Sequence, residues 1–286
     1  MVEEYWELLH PPFNLDPDVR FLFESAGHRE GLARLLFAVR ELRGGITLLT
    51  GEIGCGKTTL AGALLRLLPT SRYRTAVVIH PLLPVGQLLA AILHELGAKR
   101  ARGGKAEVVA ALHDRLLALD RKELAPVLVI DEAQLLGRPQ LEELRLLTNL
   151  ERGERKLVHL VLIGQPELAR RAARFPALAQ RIVMRYHVRP LSGDETGPYL
   201  AHRLRVAGAS RPIFAEGAVA EAYRHTGGVP RLLNLVAAHA LFLAAADRRP
   251  LVDGAAVAAA ARELDLIGHA TAAAPASPAA AANVPS

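Results

Sequence analysis

Two patterns of apolar positions alternate through most of the chain. Short continuous apolar runs bounded by turns are typical of strands buried on both faces, and apolar residues that recur every three or four positions are typical of helices. Their alternation predicts a doubly wound parallel sheet with helices on both faces. The predicted strands lie at 46–50, 75–79, 127–130, 158–163 and 184–188, and the predicted helices around them lie near 28–42, 59–68, 85–96, 106–119 and 140–150.

The same patterns divide the chain into four regions. We predict an α/β domain over residues 28–190, where the alternation is found, and an all-helical lid domain over residues 191–268, where only helical spacing is found. Residues 1–27 contain prolines that prevent one continuous helix, so we predict an arm that packs down through its aromatic residues. Residues 269–286 are rich in alanine and proline, and we predict a disordered tail there.

Composition places the chain among globular proteins. It has 286 residues, of which 51% are hydrophobic and 22% are charged, and these values exclude a mainly disordered protein. The single cysteine excludes an internal disulfide framework and fits a reducing compartment. No apolar run approaches the roughly 18 residues that span a bilayer, and the first residues are acidic, so we expect a soluble, cytoplasmic protein without a membrane span.

A glycine-rich segment between the first predicted strand and the next helix matches the phosphate-binding loop pattern at every fixed position. Its glycines let successive backbone N–H groups turn towards the phosphates of a nucleotide, at the positive end of the following helix. Lys57 adds a mobile point charge, and the Thr58 hydroxyl suits Mg²⁺. We therefore expect ATP and Mg²⁺ as cofactors, bound by Gly51, Glu52, Ile53, Gly54, Cys55, Gly56, Lys57, Thr58 and Thr59.

Two carboxylates follow the third predicted strand. Asp131 and Glu132 come directly after the apolar run at 127–130, which places Asp131 at the carboxyl edge of the sheet, beside the phosphate loop. We expect Asp131 to hold Mg²⁺ through water and Glu132 to polarise the attacking water, so the pair favours hydrolysis over mere binding. Residues 131–134 are also similar to a helicase box, but the sequence contains no further helicase motif, and this alternative is not favoured.

The phosphate loop, the acidic pair and a helical second domain that contains Gly227-Gly228-Val229-Pro230-Arg231 together resemble the ExeA/GspA-like AAA+ ATPases, which are related to the transposition helpers MuB, TnsC and TniB. The resemblance covers about residues 5–266 and implies an AAA+ fold with ATPase activity. It also rests on the segments 11–17, 21–30, 49–52, 131–136, 162–168, 180–182 and 202–204, which occur in the family's order.

The resemblance implies further site residues. Gln165, at the end of the fourth predicted strand, falls where AAA+ proteins carry a polar residue that positions the attacking water, although most members have Asn or Thr there. Arg231 matches the arginine of the helical domain that reaches back to the nucleotide. Arg181 matches the arginine finger offered by a neighbouring subunit, and Arg174 and Arg185 compete with it for this role. These roles imply a homo-oligomer, either a ring or a filament.

The aromatic arm precedes the first strand, and we expect it to pack near the adenine site. Phe13 and His28 are the candidates for contacting the adenine of the bound nucleotide. Packing inside the core is the alternative for each of these two residues.

Basic residues form two groups away from the phosphate loop. Four cations surround two glycines in residues 99–105, and three arginines lie in residues 170–174. Such groups can contact a DNA backbone in a salt-sensitive, sequence-independent way. The alternative is a solvated surface that keeps the protein soluble, and the net charge of +6 fits either interpretation.

We predict a Mg²⁺-dependent ATPase that acts on a protein partner of secretion or transposition machinery through nucleotide-driven assembly. Secretion factors of this family carry a membrane span and a cell-wall-binding domain after the ATPase. Neither follows residue 266, so we do not expect a complete secretion factor; the alternatives are a domain of such a factor and a stand-alone relative. In either case we expect the partner to be another molecule. The alternative function is an ATP-switched DNA-binding adaptor that recruits a transposase, for which nucleotide binding matters more than turnover.

Overall fold

The structure is a computed structural model that describes residues 2–15, 18–42, 44–98 and 104–265. The predicted tail at 269–286 and most of the predicted basic loop at 99–105 therefore lie outside the described residues. The chain forms two compact units. We name them the α/β unit, Asp16–Pro190, and the helical unit, Met1–Leu15 together with Leu191–Ser286.

Helices account for most of the regular structure in both units. Short 3₁₀ segments occur at Val19–Phe21 and Ala133–Leu135, and a π-helical turn, Ala38–Leu42, extends one of the helices. The α-helices are α1 (Val2–Tyr5), α2 (Ala26–Phe37), α3 (Lys57–Leu67), α4 (Val85–Glu95), α5 (Lys105–Asp120), α6 (Arg138–Leu147), α7 (Pro166–Ala173), α8 (Pro176–Ala179), α9 (Gly193–Val206), α10 (Glu216–Thr226), α11 (Pro230–Ala246) and α12 (Gly254–Glu263).

The centre of the α/β unit is a five-stranded sheet in which every neighbouring pair is parallel. A separate antiparallel hairpin precedes the fourth strand of this sheet, and the sequence did not predict it. The strands are β1 (Gly45–Gly51), β2 (Tyr73–Val78), β3 (Ala125–Ile130), β4 (Glu151–Arg152), β5 (Arg155–Lys156), β6 (His159–Gly164) and β7 (Ile182–Val188). The sheet order is β2-β3-β6-β1-β7, so the predicted doubly wound parallel sheet is confirmed.

Helices cover both faces of the sheet because alternate strand residues point to opposite sides. Leu128 and Ile130 belong to one buried cluster, which α4, α5 and α6 complete. Val127 and Val129 belong to the other cluster, which α2 and α3 complete. Since both faces are apolar, each central strand reads as a continuous apolar run, and this explains why the sequence pattern identified the strands.

The helical unit contains α9 to α12 and the first fifteen residues of the chain. Ser192 begins α9 with a capping box: its Oγ accepts from the Glu195 N–H at 3.2 Å, and its own N–H donates to Glu195 Oε2 at 3.1 Å. Such a cap satisfies backbone donors that the first helical turn leaves free. Within the described ranges of both units, no helix is long and apolar enough to cross a membrane.

The first part of the predicted arm is fastened to the helical unit. Tyr5 Oη donates to the Arg249 carbonyl oxygen at 2.9 Å, and Trp6 Nε1 donates to the Leu241 carbonyl oxygen at 3.1 Å. The buried Arg203 guanidinium donates to the carbonyl oxygen of Pro12 at 2.6 Å. The predicted arm at residues 1–27 is therefore divided between the two units, with the boundary after Leu15.

Candidate functional site

The phosphate loop, residues 51–58, joins the carboxyl end of β1 to the amino end of α3. All three of its glycines occupy positions that disfavour a side chain, through a positive φ angle or through lack of space. Gly54 and Gly56 have φ angles of 82° and 86°, in the left-handed region. A Cβ atom on Gly51 would lie 2.6 Å from the Val188 carbonyl oxygen. The loop therefore has the close, glycine-dependent backbone path that presents N–H groups to phosphates.

Lys57 begins α3 with its side chain folded into the phosphate loop. Its ammonium group donates to the carbonyl oxygens of Gly51 at 2.9 Å and Glu52 at 2.8 Å, and the residue is buried. Both acceptors are neutral, so the charge of Lys57 is not neutralised by either of these two contacts. This arrangement suits a lysine that transfers its hydrogen bonds to phosphate oxygens.

Thr58 and Asp131 meet at the carboxyl edge of the sheet, although 73 residues separate them. Thr58 Oγ1 donates to Asp131 Oδ2 at 2.8 Å. The other carboxylate oxygen of Asp131 accepts from the Glu132 N–H at 2.8 Å, and the residue is only 6% exposed. A hydroxyl and a carboxylate are hard oxygen ligands, so the pair fits Mg²⁺.

Glu132 follows Asp131 in a left-handed backbone conformation, with φ at 51°. Its Oε2 accepts a hydrogen bond from Gln134 Nε2. The Oε1 of the same glutamine accepts from the Gln165 N–H at 3.1 Å. Gln165 comes directly after β6, which lies beside β3, so the predicted Glu132 and Gln165 are brought near each other through Gln134.

Gln134 was not among the predicted site residues. Residues 131–134 are similar to a helicase box, and residues 131–136 belong to the family resemblance, but neither observation assigned a role to the glutamine. Its contact with residue 165 depends on the pairing of β3 with β6, and this pairing cannot be deduced from the order of the strands along the chain. The polar type of the residue, two positions after a candidate base, was the one available signal.

His28 contacts the phosphate loop from α2. Its Nε2 lies 3.1 Å from the Cys55 carbonyl oxygen, which can only accept, so this nitrogen carries the proton. Its Nδ1 then accepts from Ser25 Oγ at 2.8 Å, and the ring is buried. A Cβ on Gly56 would lie 2.8 Å from His28 Nε2. His28 therefore supports the loop backbone, and its contact with adenine stays a prediction.

Cys55 is fully buried within the loop, and it belongs to the apolar cluster between the sheet and α2 and α3. Burial raises the pKa of its thiol to about 11. A thiol that stays protonated at neutral pH is a poor nucleophile, which favours a space-filling role for this side chain over redox control.

Two other predicted residues belong to the helical unit. Phe13 is buried there, and its ring packs edge-to-face on Phe214 with 5.9 Å between the centroids. Arg231 is exposed in the first turn of α11, and Val229 and Pro230 separate it from two glycines with positive φ angles. Their predicted contacts with adenine and phosphate stay predictions.

Arg181 lies at the amino edge of the sheet, just before β7. Its carbonyl oxygen accepts from the Ile46 N–H at 2.8 Å, near the start of β1. The phosphate loop follows the opposite end of β1, so Arg181 and the loop of the same chain are at opposite edges of the sheet. A role for Arg181 at a nucleotide site therefore requires the site of another copy of the chain.

The arginines at 170–174 are partly engaged within the α/β unit. Arg170 pairs with Glu167 on α7, and Arg171 donates to the Leu136 carbonyl oxygen. Lys105, the end of the predicted basic loop, pairs with Glu143. DNA contact by these residues stays a prediction.

Comparison with known proteins decides the family. A model described as AAA domain matches residues 40–172, which contain the phosphate loop, the acidic pair and Gln165. Over 247 residues the chain is 42% identical to general secretion pathway protein A of Aeromonas hydrophila, and the match covers 85% of this chain and 45% of that protein. The chain belongs to the ExeA/GspA-like AAA+ ATPases. It spans less than half of the length of this ExeA/GspA relative.

Solved structures share the AAA+ fold of this ExeA/GspA-like chain at low sequence identity. The ORC2 protein of Aeropyrum pernix, in ADPNP–ADP complexes, has a TM-score of 0.68 and 17% identity, over 89% of this chain and 71% of that chain. The RuvB Holliday junction branch migration motor of Thermotoga maritima has a TM-score of 0.57 and 16% identity, over 85% of this chain and 70% of that chain. At these identities the likeness shows the fold alone.

Proposed function

We propose that the chain binds ATP and Mg²⁺ and hydrolyses ATP to ADP and phosphate. One observation carries this proposal: Thr58, at the end of the phosphate loop, is hydrogen-bonded to Asp131, and Glu132 is the next residue in the chain after Asp131. A metal ligand pair and a candidate base are thus assembled beside the backbone that would hold the phosphates. Membership in the ExeA/GspA-like AAA+ ATPases supports the same reaction.

The residues divide the chemical work as follows. The N–H groups of the loop and the Lys57 ammonium bind the phosphates, and Thr58 and Asp131 hold Mg²⁺, which when bound neutralises charge on phosphate oxygens. Glu132 accepts a proton from water as the water oxygen attacks the γ-phosphorus. The bond between that phosphorus and its bridging oxygen breaks, and ADP leaves with the electron pair. Gln165 orients the water.

Replacement of the candidate base tests the reaction. Glu132→Gln keeps the size of the side chain but cannot take the proton, so we expect kcat to fall by about 10²- to 10⁴-fold while ATP still binds. The measurement is phosphate release together with the affinity for a fluorescent ATP analogue. Glu154→Gln, in the exposed hairpin, is the matched control and should keep wild-type values.

Replacement of the loop lysine tests the binding site separately. Lys57→Ala removes the charge that faces the phosphates, so we expect ATP affinity to fall by roughly 10- to 100-fold. Lys122→Ala, which removes an exposed lysine, is its control. Normal hydrolysis by both Glu132→Gln and Lys57→Ala would show that this site is not the nucleotide site.

We further propose that the ATPase works as a homo-oligomer on a protein partner, as part of secretion machinery. The identity of 42% to a general secretion pathway protein supports this pathway, over the part of that protein which the chain spans. The place of Arg181 at the sheet edge remote from its own phosphate loop supports assembly, since it lets the arginine complete a neighbour's site.

A further inference from the structure

Gln134 forms a bridge between two strands' ends at the candidate site. Its side-chain amide donates to Glu132 Oε2 and accepts from the Gln165 N–H, with 3.1 Å between Gln134 Oε1 and Gln165 N. The two partners fix the direction of the amide. A carboxylate can only accept and a backbone N–H can only donate, so one orientation alone satisfies both.

Gly164 provides the space that the bridge occupies. A Cβ atom at this position would lie 2.6 Å from Gln134 Oε1, closer than side-chain atoms approach. The same Cβ would lie 3.2 Å from the Gln134 backbone nitrogen. The absence of a side chain at Gly164 is therefore what lets the glutamine amide reach the first residue after β6.

Glu132 needs an external restraint because its own surroundings leave its side chain partly exposed. It is intermediate in burial, and its backbone has the left-handed φ of 51°. Among the hydrogen bonds of the described residues, a single one runs from a side chain to the Glu132 carboxylate, and Gln134 donates it. A charged acceptor with a neutral amide donor forms a stronger bond than two neutral groups, so this contact can select one orientation.

We infer that Gln134 is a positioning residue that holds the Glu132 carboxylate in a fixed position relative to Gln165. The inference rests on the proposed hydrolysis and deepens it. Gln134 acts through its hydrogen bonds to Glu132 and Gln165. It fixes the carboxylate through Oε2 and leaves Oε1 of Glu132 to accept the proton. Because the same amide holds the backbone of Gln165, the base and the water-orienting residue keep a fixed separation.

The test is a comparison of kcat and KM across four variants. Gln134→Ala removes the bridge, and Gln134→Glu keeps its shape but presents one carboxylate to another. For both we expect kcat to fall by about 10- to 100-fold, the usual effect of losing a hydrogen bond to a charged group, while KM and ATP-analogue affinity stay within about twofold. Gly164→Ala, which displaces the amide without changing Gln134, should lower kcat in the same direction. Gln140→Ala is the matched control, because this glutamine also donates from Nε2, to the Leu83 carbonyl oxygen at 3.0 Å, away from the acidic pair.

A second measurement separates positioning from a general structural effect. If Gln134 acts through Glu132, Gln134→Ala should cause no further loss in single-turnover rate once Glu132→Gln is present, because the two changes remove one shared function. An equal fold-loss in both backgrounds, a wild-type or raised kcat in Gln134→Ala, or a loss confined to KM would overturn the inference.

The outcomes also separate this inference from the proposed function. A wild-type protein without ATP turnover would overturn both. Turnover that is lost in Glu132→Gln and unchanged in Gln134→Ala would leave the proposed function intact and overturn the inference alone.

Discussion

His159 illustrates how a single polar side chain is accommodated in a strand that is buried on both faces. Its Nδ1 lies 3.1 Å from the Gly44 carbonyl oxygen, so Nδ1 carries the proton and Nε2 accepts from Thr47 Oγ1 at 2.8 Å. Both ring nitrogens are therefore satisfied when the ring is neutral. Burial lowers the pKa of His159 from 6.5 to about 4, because a charged imidazole would lose its hydration.

This lowered pKa predicts a loss of stability in mild acid. The unfolded chain protonates His159 as the pH falls through 6.5, while the folded chain resists protonation until about 4. The stability due to the neutral ring is therefore complete above the unfolded pKa and is lost as the pH falls towards the folded one. The loss amounts to about 3 kcal/mol, since one pKa unit corresponds to about 1.4 kcal/mol.

His159→Gln isolates the contribution of this ring, because an amide can donate and accept but does not titrate. Between about pH 7 and about pH 4, we expect the free energy of unfolding of the wild-type protein to fall by about 3 kcal/mol more than that of the variant. Urea unfolding at a series of pH values measures the difference. Parallel curves for the two proteins would show that His159 does not titrate with a lowered pKa.

At the scale of elements, the turn between α10 and α11 depends on one glycine. Gly228 has a φ of 75°, and a Cβ there would lie 1.9 Å from the Leu191 carbonyl oxygen. The Leu191 N–H donates to the Gly228 carbonyl oxygen at 2.9 Å, so the two backbones are in direct contact. This contact joins the start of the helical segment to the turn that precedes Arg231.

Gly228→Ala should therefore destabilise the protein by at least about 2 kcal/mol, from left-handed strain and a clash with backbone that cannot rotate away. Gly217→Ala is the matched control. Gly217 lies in the first turn of α10 with no atom near its missing Cβ, and alanine there should stabilise by about 0.5–1 kcal/mol. Thermal unfolding of both variants measures the contrast. Equal effects would show that close backbone contact at Gly228 is not what matters.

Which elements the sequence predicts depends on how local their causes are. The three central strands β1, β3 and β6 were predicted because burial on both faces makes each one a continuous apolar run. The outer strands β2 and β7 are only partly buried, so their apolar pattern is weaker. The hairpin β4–β5 was missed because its strands have two residues each and are charged, so they show no apolar pattern. The phosphate loop was predicted because its residues are contiguous. Gln134 was missed because its proposed role depends on a hydrogen bond with Gln165, which is 31 positions away in the sequence.

At the scale of the whole molecule, long-range contacts within the helical unit could not be predicted from the sequence. The Trp6 hydrogen bond to the Leu241 carbonyl oxygen joins residues 235 positions apart. The aromatic residues near the start of the chain predicted that this segment packs against the rest of the protein, but no local sequence pattern indicates which surface it contacts. The same applies to assembly, where the position of Arg181 relative to its own phosphate loop is informative only once the sheet order is known.

Assembly in which Arg181 completes a neighbour's site predicts complementation between inactive variants. Arg181→Ala keeps an intact phosphate loop, and Lys57→Ala keeps an intact Arg181. In a mixed oligomer, some sites therefore combine the phosphate loop of the first variant with the arginine of the second. Arg181→Ala alone should lose most of its turnover, since an arginine finger is worth about 10³ to 10⁵ in rate. Lys57→Ala alone should lose most of its turnover when the ATP concentration is below its raised Kd, because it binds ATP weakly. We expect the mixture to recover a substantial fraction of wild-type ATP turnover.

Dilution provides an independent measurement of the same property. The specific activity of the wild-type protein should fall as its concentration is lowered, because sites separate from the arginines that complete them. A specific activity that stays constant on dilution, together with no recovery in the mixture, would contradict an arginine supplied by a neighbour. Recovery with Arg174→Ala or Arg185→Ala in place of Arg181→Ala would assign the role to that arginine.

The enclosed thiol of Cys55 makes this chain a favourable object for site-directed labelling. It is the single cysteine of the sequence, it is fully buried, and its pKa of about 11 leaves almost no thiolate at neutral pH. A cysteine introduced at an exposed position, such as Glu154, would then be the one that reacts with a maleimide dye or a spin label. Spectroscopic probes can be attached without altering any residue of the phosphate loop.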